Sequence, residues 1–292
     1  MNILIVGLGS IGRRHARILR AIRPEARLFA LRSGMGWGPE EGVTDVRDLK
    51  ELPGKMDLAI ISSPTHLHPE HVKKVLPLKP FLFLEKPLAL TVAEGEDIVD
   101  AVEKAGIGSY VGCHLRFHPE LKKLREEMRQ PHAPVISARI VCRSWLPDWQ
   151  PGRDYRKSFR AQADRSGGVH LELIHEMDYV TWILGAPQSR TVSLRDAPDL
   201  KISAPAEAHY ELSYPGYTAT IDLSYASREE ERVFEIHFGD GTFRTINILL
   251  SPAALNEVFT DQMRHVLACA GGSDFSLHSV RESLQTLILA LP

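Results

Sequence analysis

Cysteine is scarce in this chain: Cys113, Cys142 and Cys269 are the three among 292 residues. They form no CxxC pair, and an odd number argues against a disulfide framework, so reduced and mostly buried thiols are expected. Net charge is equally scant. Thirty-five lysines and arginines against 37 aspartates and glutamates leave −2 at pH 7, which offers no general field for nucleic acid or an anionic membrane. Neither is expected as a partner. No apolar run approaches the roughly 18 residues needed to span a bilayer, and there is no internal repeat or low-complexity linker. The sequence opens directly into the strand-like run Asn2 to Val6 with no basic segment or cleavage signal before it, from which a cytoplasmic location is expected.

What is present is the composition of a globular protein, 43% apolar and 25% charged, at a length that suits two domains. The first third alternates strand and helix signals. Strands are expected at Ile3 to Val6, Arg27 to Leu31, Asp57 to Ile61, Phe81 to Leu84 and Ser109 to Gly112, with helices at Arg13 to Arg23, Pro69 to Leu76 and Val92 to Ala105. Continuous apolar strands separated by helices mean a doubly wound parallel sheet of α/β class. After about residue 120 the pattern changes to alternating strands joined by turns such as Pro215-Gly216 and Gly239-Asp240-Gly241. This predicts an α+β domain with a large, mostly antiparallel open sheet, one helix from His170 to Leu184 stopped by Gly185, and a helical tail. The expected division is 1–118 and 119–292. The stretch from Trp145 to Gly168 is polar, basic and aromatic without a period, and a loop that long inside a compact domain is usually functional.

Gly7-Leu8-Gly9-Ser10-Ile11-Gly12 is a GxGxxG that follows a strand and opens a helix, the context in which this spacing binds a dinucleotide. Gly7 permits the tight turn, Gly9 lets a pyrophosphate approach the backbone, and Gly12 lets helix and strand pack closely. The helix start at Ser10 and Ile11 supplies N–H groups and a positive dipole end. A fold that prefers NAD usually ends its second strand in an acidic residue. Here Leu31 is followed by Arg32 and Ser33, a guanidinium and a hydroxyl suited to a 2′-phosphate, so NADP is the expected cofactor with NAD possible.

Five pieces of sequence, in matching order, carry a family resemblance: Gly7 to Gly12 with Arg13-Arg14-His15, Pro64-Thr65-His66-Leu67-His68, Glu85-Lys86-Pro87, Arg116-Phe117-His118-Pro119, and Gly167-Gly168 through His175-Glu176-Met177-Asp178. The chain resembles the glucose–fructose oxidoreductase / inositol dehydrogenase / MocA family of sugar and cyclitol dehydrogenases. The resemblance implies that Lys86 and His175 act at the reacting carbinol. It also implies that Ser63, Pro64, Thr65, His68, Glu85 and Lys86 line the cofactor, with His68 toward the nicotinamide. The chemistry agrees: hydride leaves a carbinol carbon only as its hydroxyl proton is taken, histidine titrates near neutrality, and an ammonium stabilises the developing negative oxygen. Glu172, His175 and Asp178, spaced three apart, share one face of a single helix. The family commonly carries an aspartate one turn before the histidine; here Glu172 stands three residues before it, as in the subgroup with Arg-Arg-His. Substrate contacts are expected from Arg116, Glu172, Asp178 and the loop residues Asp154, Tyr155 and Arg156, which resemble a Pro-Gly-x-Asp-Tyr-Arg stretch of that subgroup. His66, His68 and His71 lack an acidic or cysteine partner to complete four ligands, so no metal is expected.

The implied function is an NAD(P)-dependent oxidoreductase moving hydride between the nicotinamide and a hydroxyl or carbonyl of a sugar, sugar nucleotide or polyol. Two other readings stand beside it: an NAD-dependent glycoside hydrolase working through transient oxidation, and a non-catalytic NADP-binding regulator. The presence of both Lys86 and His175 weighs against the regulator. A homodimer or homotetramer is expected, because a broad sheet with few helices to cover it needs its second face covered.

Overall fold

A computed structural model describes residues 1–32, 38–273 and 275–292, and for Ser166 the backbone alone. The elements in chain order are β1 (Asn2–Val6), α1 (Ser10–Ile22), β2 (Arg27–Leu31), β3 (Val43–Val46), β4 (Leu58–Ile61), α2 (His68–Val75), β5 (Phe81–Leu84), α3 (Val92–Ala105), β6 (Ser109–Val111), α4 (Pro119–Arg129) and β7 (Val135–Trp145). There follow α5 (Ala163–Ser166), α6 (Val169–Glu172), α7 (His175–Leu184), β8 (Ser189–Arg195), β9 (Glu207–Tyr214), β10 (Tyr217–Ser224), β11 (Ala226–Phe238), β12 (Phe243–Asn247), α8 (Pro252–Ala270) and α9 (Val280–Ala290). The chain divides into two compact units, Met1–Cys113 with Asn256–Gln285, and His114–Leu255 with Thr286–Pro292. The tail helices thus contribute to the first unit, where the sequence pattern assigned all of 119–292 to the second domain.

In the first unit six parallel strands run in the order β3-β2-β1-β4-β5-β6. The sheet core is unbroken: Ile3, Leu4, Ile5, Leu58, Ala59, Ile60, Ile61, Leu82, Phe83 and Leu84 are all fully buried. Burial on both faces is why these strands read as continuous apolar runs rather than alternating ones. Strand β3, whose Thr44 and Asp45 are exposed, gave no such signal and was not expected. α3 has the boundaries the sequence suggests, since Thr91 caps it by accepting from the Glu94 amide and Gly106 ends it at φ 65°. The tail helix α8 packs within this unit: the Tyr110 hydroxyl donates to Gln262 Oε1 at 3.4 Å, and Phe259 meets the His15 ring at 6.1 Å.

In the second unit six strands run in the order β12-β11-β7-β10-β9-β8. All neighbours are antiparallel except β7 and β10, which pair in parallel with Ala138 opposite Ala219. The central strand is therefore the first in chain order, and not every pairing is a hairpin. One face is apolar, with Ile140, Tyr210, Leu212, Ile221, Phe234 and Ile236 buried. Helix α7 lies on that side, its Tyr179 ring stacked 6.0 Å from Phe234. The other face alternates out as Arg139, Arg143, His209, Asp222 and Glu235 and opens into a shallow groove of about 540 Å³. This face is polar, so the hydrophobic reason for expecting it to be covered does not hold. The long Trp145–Gly168 stretch is a chain of short turns, with 3₁₀ turns at Leu146–Trp149, Tyr155–Lys157 and Phe159–Ala161 before α5.

Candidate active site

Each unit carries one part of the expected chemistry. In the first, the turn between β1 and α1 takes its form from two glycines. Gly7 sits at φ +89°, and a Cβ there would lie 2.9 Å from the Ser63 amide nitrogen; one at Gly12 would lie 2.3 Å from the Gly7 carbonyl oxygen. The Ser62 hydroxyl donates to that same Gly7 oxygen at 2.6 Å, tying the turn to the end of β4. Gly9 differs, because a Cβ there would meet nothing within 4 Å. The absent side chain leaves room on the outer side of the turn at the start of α1. No side chain caps that start and no acidic residue lies in its first turn. An N-terminus with open amides and clear space beside it fits the pyrophosphate of a dinucleotide.

Around this turn the expected cofactor residues have definite partners. Arg32 donates to Asp45 Oδ2 at 2.8 Å and to the Gly38 oxygen at 3.1 Å, so its guanidinium is engaged by β3 and the following loop. Ser33 lies outside the described residues. Glu40 accepts from Arg13 and from Arg17, whose hydrogen bond holds its carboxyl below the usual carboxylate range. After β4, Pro64 precedes a 3₁₀ turn that starts at the buried Thr65. His68 is buried with Nε2 3.1 Å from the Ser63 oxygen and Nδ1 3.2 Å from the Leu88 oxygen, so it spans two backbone segments, and burial lowers its pKa. His71 Nδ1 is 2.8 Å from Ser63 Oγ. After β5, buried Glu85 pairs with His15 Nε2 at 2.6 Å, and His15 in turn packs edge-on against Phe83 at 5.0 Å. The histidine of Arg13-Arg14-His15, to which no role was assigned from its motif, anchors the first residue of Glu85-Lys86-Pro87 to α1. Lys86 comes next and is joined to Pro87 by a cis peptide bond.

In the second unit the expected single helix is two. α6 ends at Glu172, Leu173 and Ile174 turn, and α7 begins at His175. Glu172 is therefore not on a continuous helical face with His175 and Asp178. The break puts His175 at the first position of a helix, and its residue is only 4% exposed. Asp178, fully buried, takes the Arg116 guanidinium through Nε at 3.1 Å and Nη2 at 2.7 Å. Glu176, also fully buried, accepts from Arg232 Nε at 2.7 Å. Glu172 accepts from Arg160 Nε at 2.8 Å. Glu172, Asp178 and Arg116 were expected from the sequence; Arg160 and Arg232, which lie in other segments, and Glu176, which stands next to His175 on α7, were not. His114 was missed as well; its ring stands against that of His175 with centroids 4.4 Å apart and planes at 78°.

The loop residues are tied locally. Asp154 caps a 3₁₀ turn and pairs with Arg156 Nε at 2.8 Å, and the Tyr155 hydroxyl donates to the Leu200 oxygen at 2.9 Å. Trp149 reaches inward, with Nε1 donating to Ser144 Oγ at 2.9 Å and its ring 5.3 Å from that of the buried Tyr225.

Residues 1–112 match the oxidoreductase family with an NAD-binding Rossmann fold, GFO/IDH/MocA, and residues 134–244 match the C-terminal domain of the same family. The chain belongs to that family. Among curated relatives it is 30% identical over 201 residues to a myo-inositol 2-dehydrogenase of Thermotoga maritima, covering 63% of this chain and 55% of the relative. It is 27% identical over 195 residues to a 2,7-anhydro-N-acetylneuraminate hydratase of Escherichia coli, covering 63% and 50%. These matches span about half of each relative's length. Among solved structures, the WlbA dehydrogenase of Bordetella pertussis, in complex with NADH and UDP-GlcNAcA, superposes with a TM-score of 0.81 at 18% identity, covering 98% of this chain and 92% of that one. No helix among the described residues is long and apolar enough to cross a membrane.

Proposed function

We propose that this protein is an NAD(P)-dependent dehydrogenase acting on a CH–OH group of a sugar, sugar nucleotide or related polyol. The observation that carries the reading is His175, a buried imidazole at the start of a helix whose first turn also carries two arginine–carboxylate pairs. A general base must be held within reach of one hydroxyl, and a ring fixed in this way meets that demand. The nicotinamide, when bound, supplies the acceptor for hydride. His175 takes the hydroxyl proton as the carbinol carbon is oxidised, and returns it in the reverse direction. Lys86, just past the carboxyl end of β5, where open α/β sheets bind ligands, stabilises the oxygen as its charge grows. Arg116, Asp154, Tyr155, Arg156, Glu172 and Asp178 contact or shape the substrate side. Surface-polysaccharide or nonulosonic-acid sugars are the favoured class. A cytoplasmic setting belongs to this reading.

NADP is the proposed cofactor, since no acidic residue follows Leu31 directly and Arg32 stands there instead. Arg32, which donates to Asp45 here, would be the residue to hold a 2′-phosphate. Side-by-side titrations with NADPH and NADH test this: tighter NADPH binding that is lost in Arg32→Ala supports it, and equal binding overturns it. The reaction is tested with a panel of sugars, polyols and sugar nucleotides, reading reduced nicotinamide. Lys86→Met and His175→Ala are each expected to lower turnover by about 10²-fold or more with cofactor affinity kept.

The second reading is an NAD-dependent glycoside hydrolase working through transient oxidation, and a relative named a 2,7-anhydro-N-acetylneuraminate hydratase favours a reaction without net redox change. Product formation without accumulation of reduced cofactor would select it. We also infer a homodimer or homotetramer. The polar open sheet face carries Arg139, Arg143 and Arg195 beside Glu207 and Asp222, both signs that a second copy can match. Light scattering tests it, and a monomer at micromolar concentration is the contrary result.

A further inference from the structure

Residues 38–40 lie beside the nucleotide turn, where three arginines hold them. Arg13 follows Gly12 on the first turn of α1 and donates to the Gly38 oxygen and to Glu40 Oε2. Arg17, one turn further on, donates to Glu40 Oε1 at 2.7 Å. Arg32, just past β2, donates to the same Gly38 oxygen at 3.1 Å and to Asp45 Oδ2 at 2.8 Å.

Two guanidinium groups from different elements thus converge on one carbonyl oxygen. The Arg13 and Arg32 side chains are only 10% and 12% exposed. Cations so placed repel, and more strongly away from water, so the arrangement calls for negative charge beside it. In this fold Glu40 supplies it to Arg13 and Asp45 to Arg32. The place matters as well, since the end of the second strand next to the start of the first helix is where a dinucleotide fold reads the adenosine ribose. A 2′-phosphate brings about two negative charges at pH 7 and three acceptor oxygens. It matches a pair of guanidinium forks in both charge and donors, whereas a 2′-hydroxyl brings no charge at all.

We propose that Arg13 is a specificity-determining residue: together with Arg32 it forms a two-guanidinium site for the 2′-phosphate of NADP, and Glu40 competes with that phosphate for Arg13. The inference deepens the reading of NADP as the cofactor and rests on it. It gives the two side chains opposite effects. Removing Arg13 weakens the hold on the phosphate, and removing the charge of Glu40 strengthens it.

The test is calorimetric titration of the full-length protein with NADPH and with NADH, which differ only in the 2′-phosphate. In Arg13→Gln the preference for NADPH is expected to fall about tenfold or more, with NADH affinity within about twofold of wild type. In Glu40→Gln the preference is expected to rise about threefold. Arg13→Gln combined with Glu40→Gln is expected to stay low, which shows that the loss does not come from a carboxylate left without its partner. An undiminished preference in Arg13→Gln overturns the assignment. So does an equal loss of NADPH and NADH affinity, which makes Arg13 a support of the turn. A preference that falls or stands still in Glu40→Gln overturns the competition. Wild-type protein that binds the two cofactors alike removes the NADP reading and this inference with it. A preference lost in Arg32→Ala but kept in Arg13→Gln removes this inference alone.

Discussion

At Gly7–Gly12 the recognising surface is main chain, whereas around His175 everything that matters is side chain. The nucleotide turn is set by what is missing from Gly7, Gly9 and Gly12, and it needs no charged group of its own. The start of α7 is set by Arg116–Asp178, Arg232–Glu176 and Arg160–Glu172, which bring four separate segments together. The first arrangement tolerates change wherever a backbone shape survives. The second depends on partners that are costly to remove singly, because a buried charge left alone has neither water nor counter-charge.

Breaking one such pair should give the largest effect. Asp178→Asn leaves Arg116 buried without its counter-charge and is expected to cost about 3–5 kcal/mol in urea unfolding. Replacing both partners, Arg116→Met with Asp178→Leu, should recover most of that loss; if the double variant is no better than the single, the cost lies in packing rather than charge. Acid should act on the same unit next. His170 titrates at about 4 in the fold against an ordinary 6.5, so as pH falls the unfolded chain takes up the proton first. Its contribution is fully present above 6.5 and is lost as pH drops toward 4, about 3 kcal/mol at most. His170→Leu should flatten the melting-temperature curve over that window, and an unchanged curve would assign acid sensitivity elsewhere.

The backbone half is broken more gently. Gly12→Ala sets a methyl 2.3 Å from the Gly7 oxygen and is expected to cost about 1–3 kcal/mol, with loss of dinucleotide binding. Gly9→Ala sharpens the contrast most. Its φ of −78° suits alanine and nothing lies within 4 Å, so stability should move by less than about 0.5 kcal/mol. Dinucleotide affinity should nevertheless fall about tenfold. Equal affinity in Gly9→Ala would mean that the pyrophosphate does not approach there.

The same contrast explains what could be read in advance. A glycine pattern, a buried parallel strand and a capping box are local, so β1, β2, α1 and α3 stand where the periodicity suggests. Strand β3, with two exposed residues, and β8, exposed at every second residue, left no apolar pattern and were missed. The tail helices α8 and α9 were recognised as helices, but nothing local tells which unit a helix joins. The motifs of the sequence point to His175 and Lys86 as the proposed catalytic pair. The break at Leu173–Ile174 was not legible, because both halves keep helical spacing and no glycine or proline marks it. His15 and Arg232 were hidden for another reason: each takes its partner from far away in sequence, Glu85 and Glu176 respectively.

The topology of the second sheet bears on how the protein is made. Its central strand, β7, is synthesised before both strands that flank it, β10 from Tyr217 and β11 from Ala226. Until those arrive from the ribosome, both backbone edges of β7 are open to any extended chain nearby. Closing the sheet must wait for contacts that are remote in sequence, a slow step for any fold. Arg139 and Arg143, two residues of the same strand face, give the waiting strand a positive charge at two points along its length. Like charges on a bare strand disfavour its pairing with copies of itself.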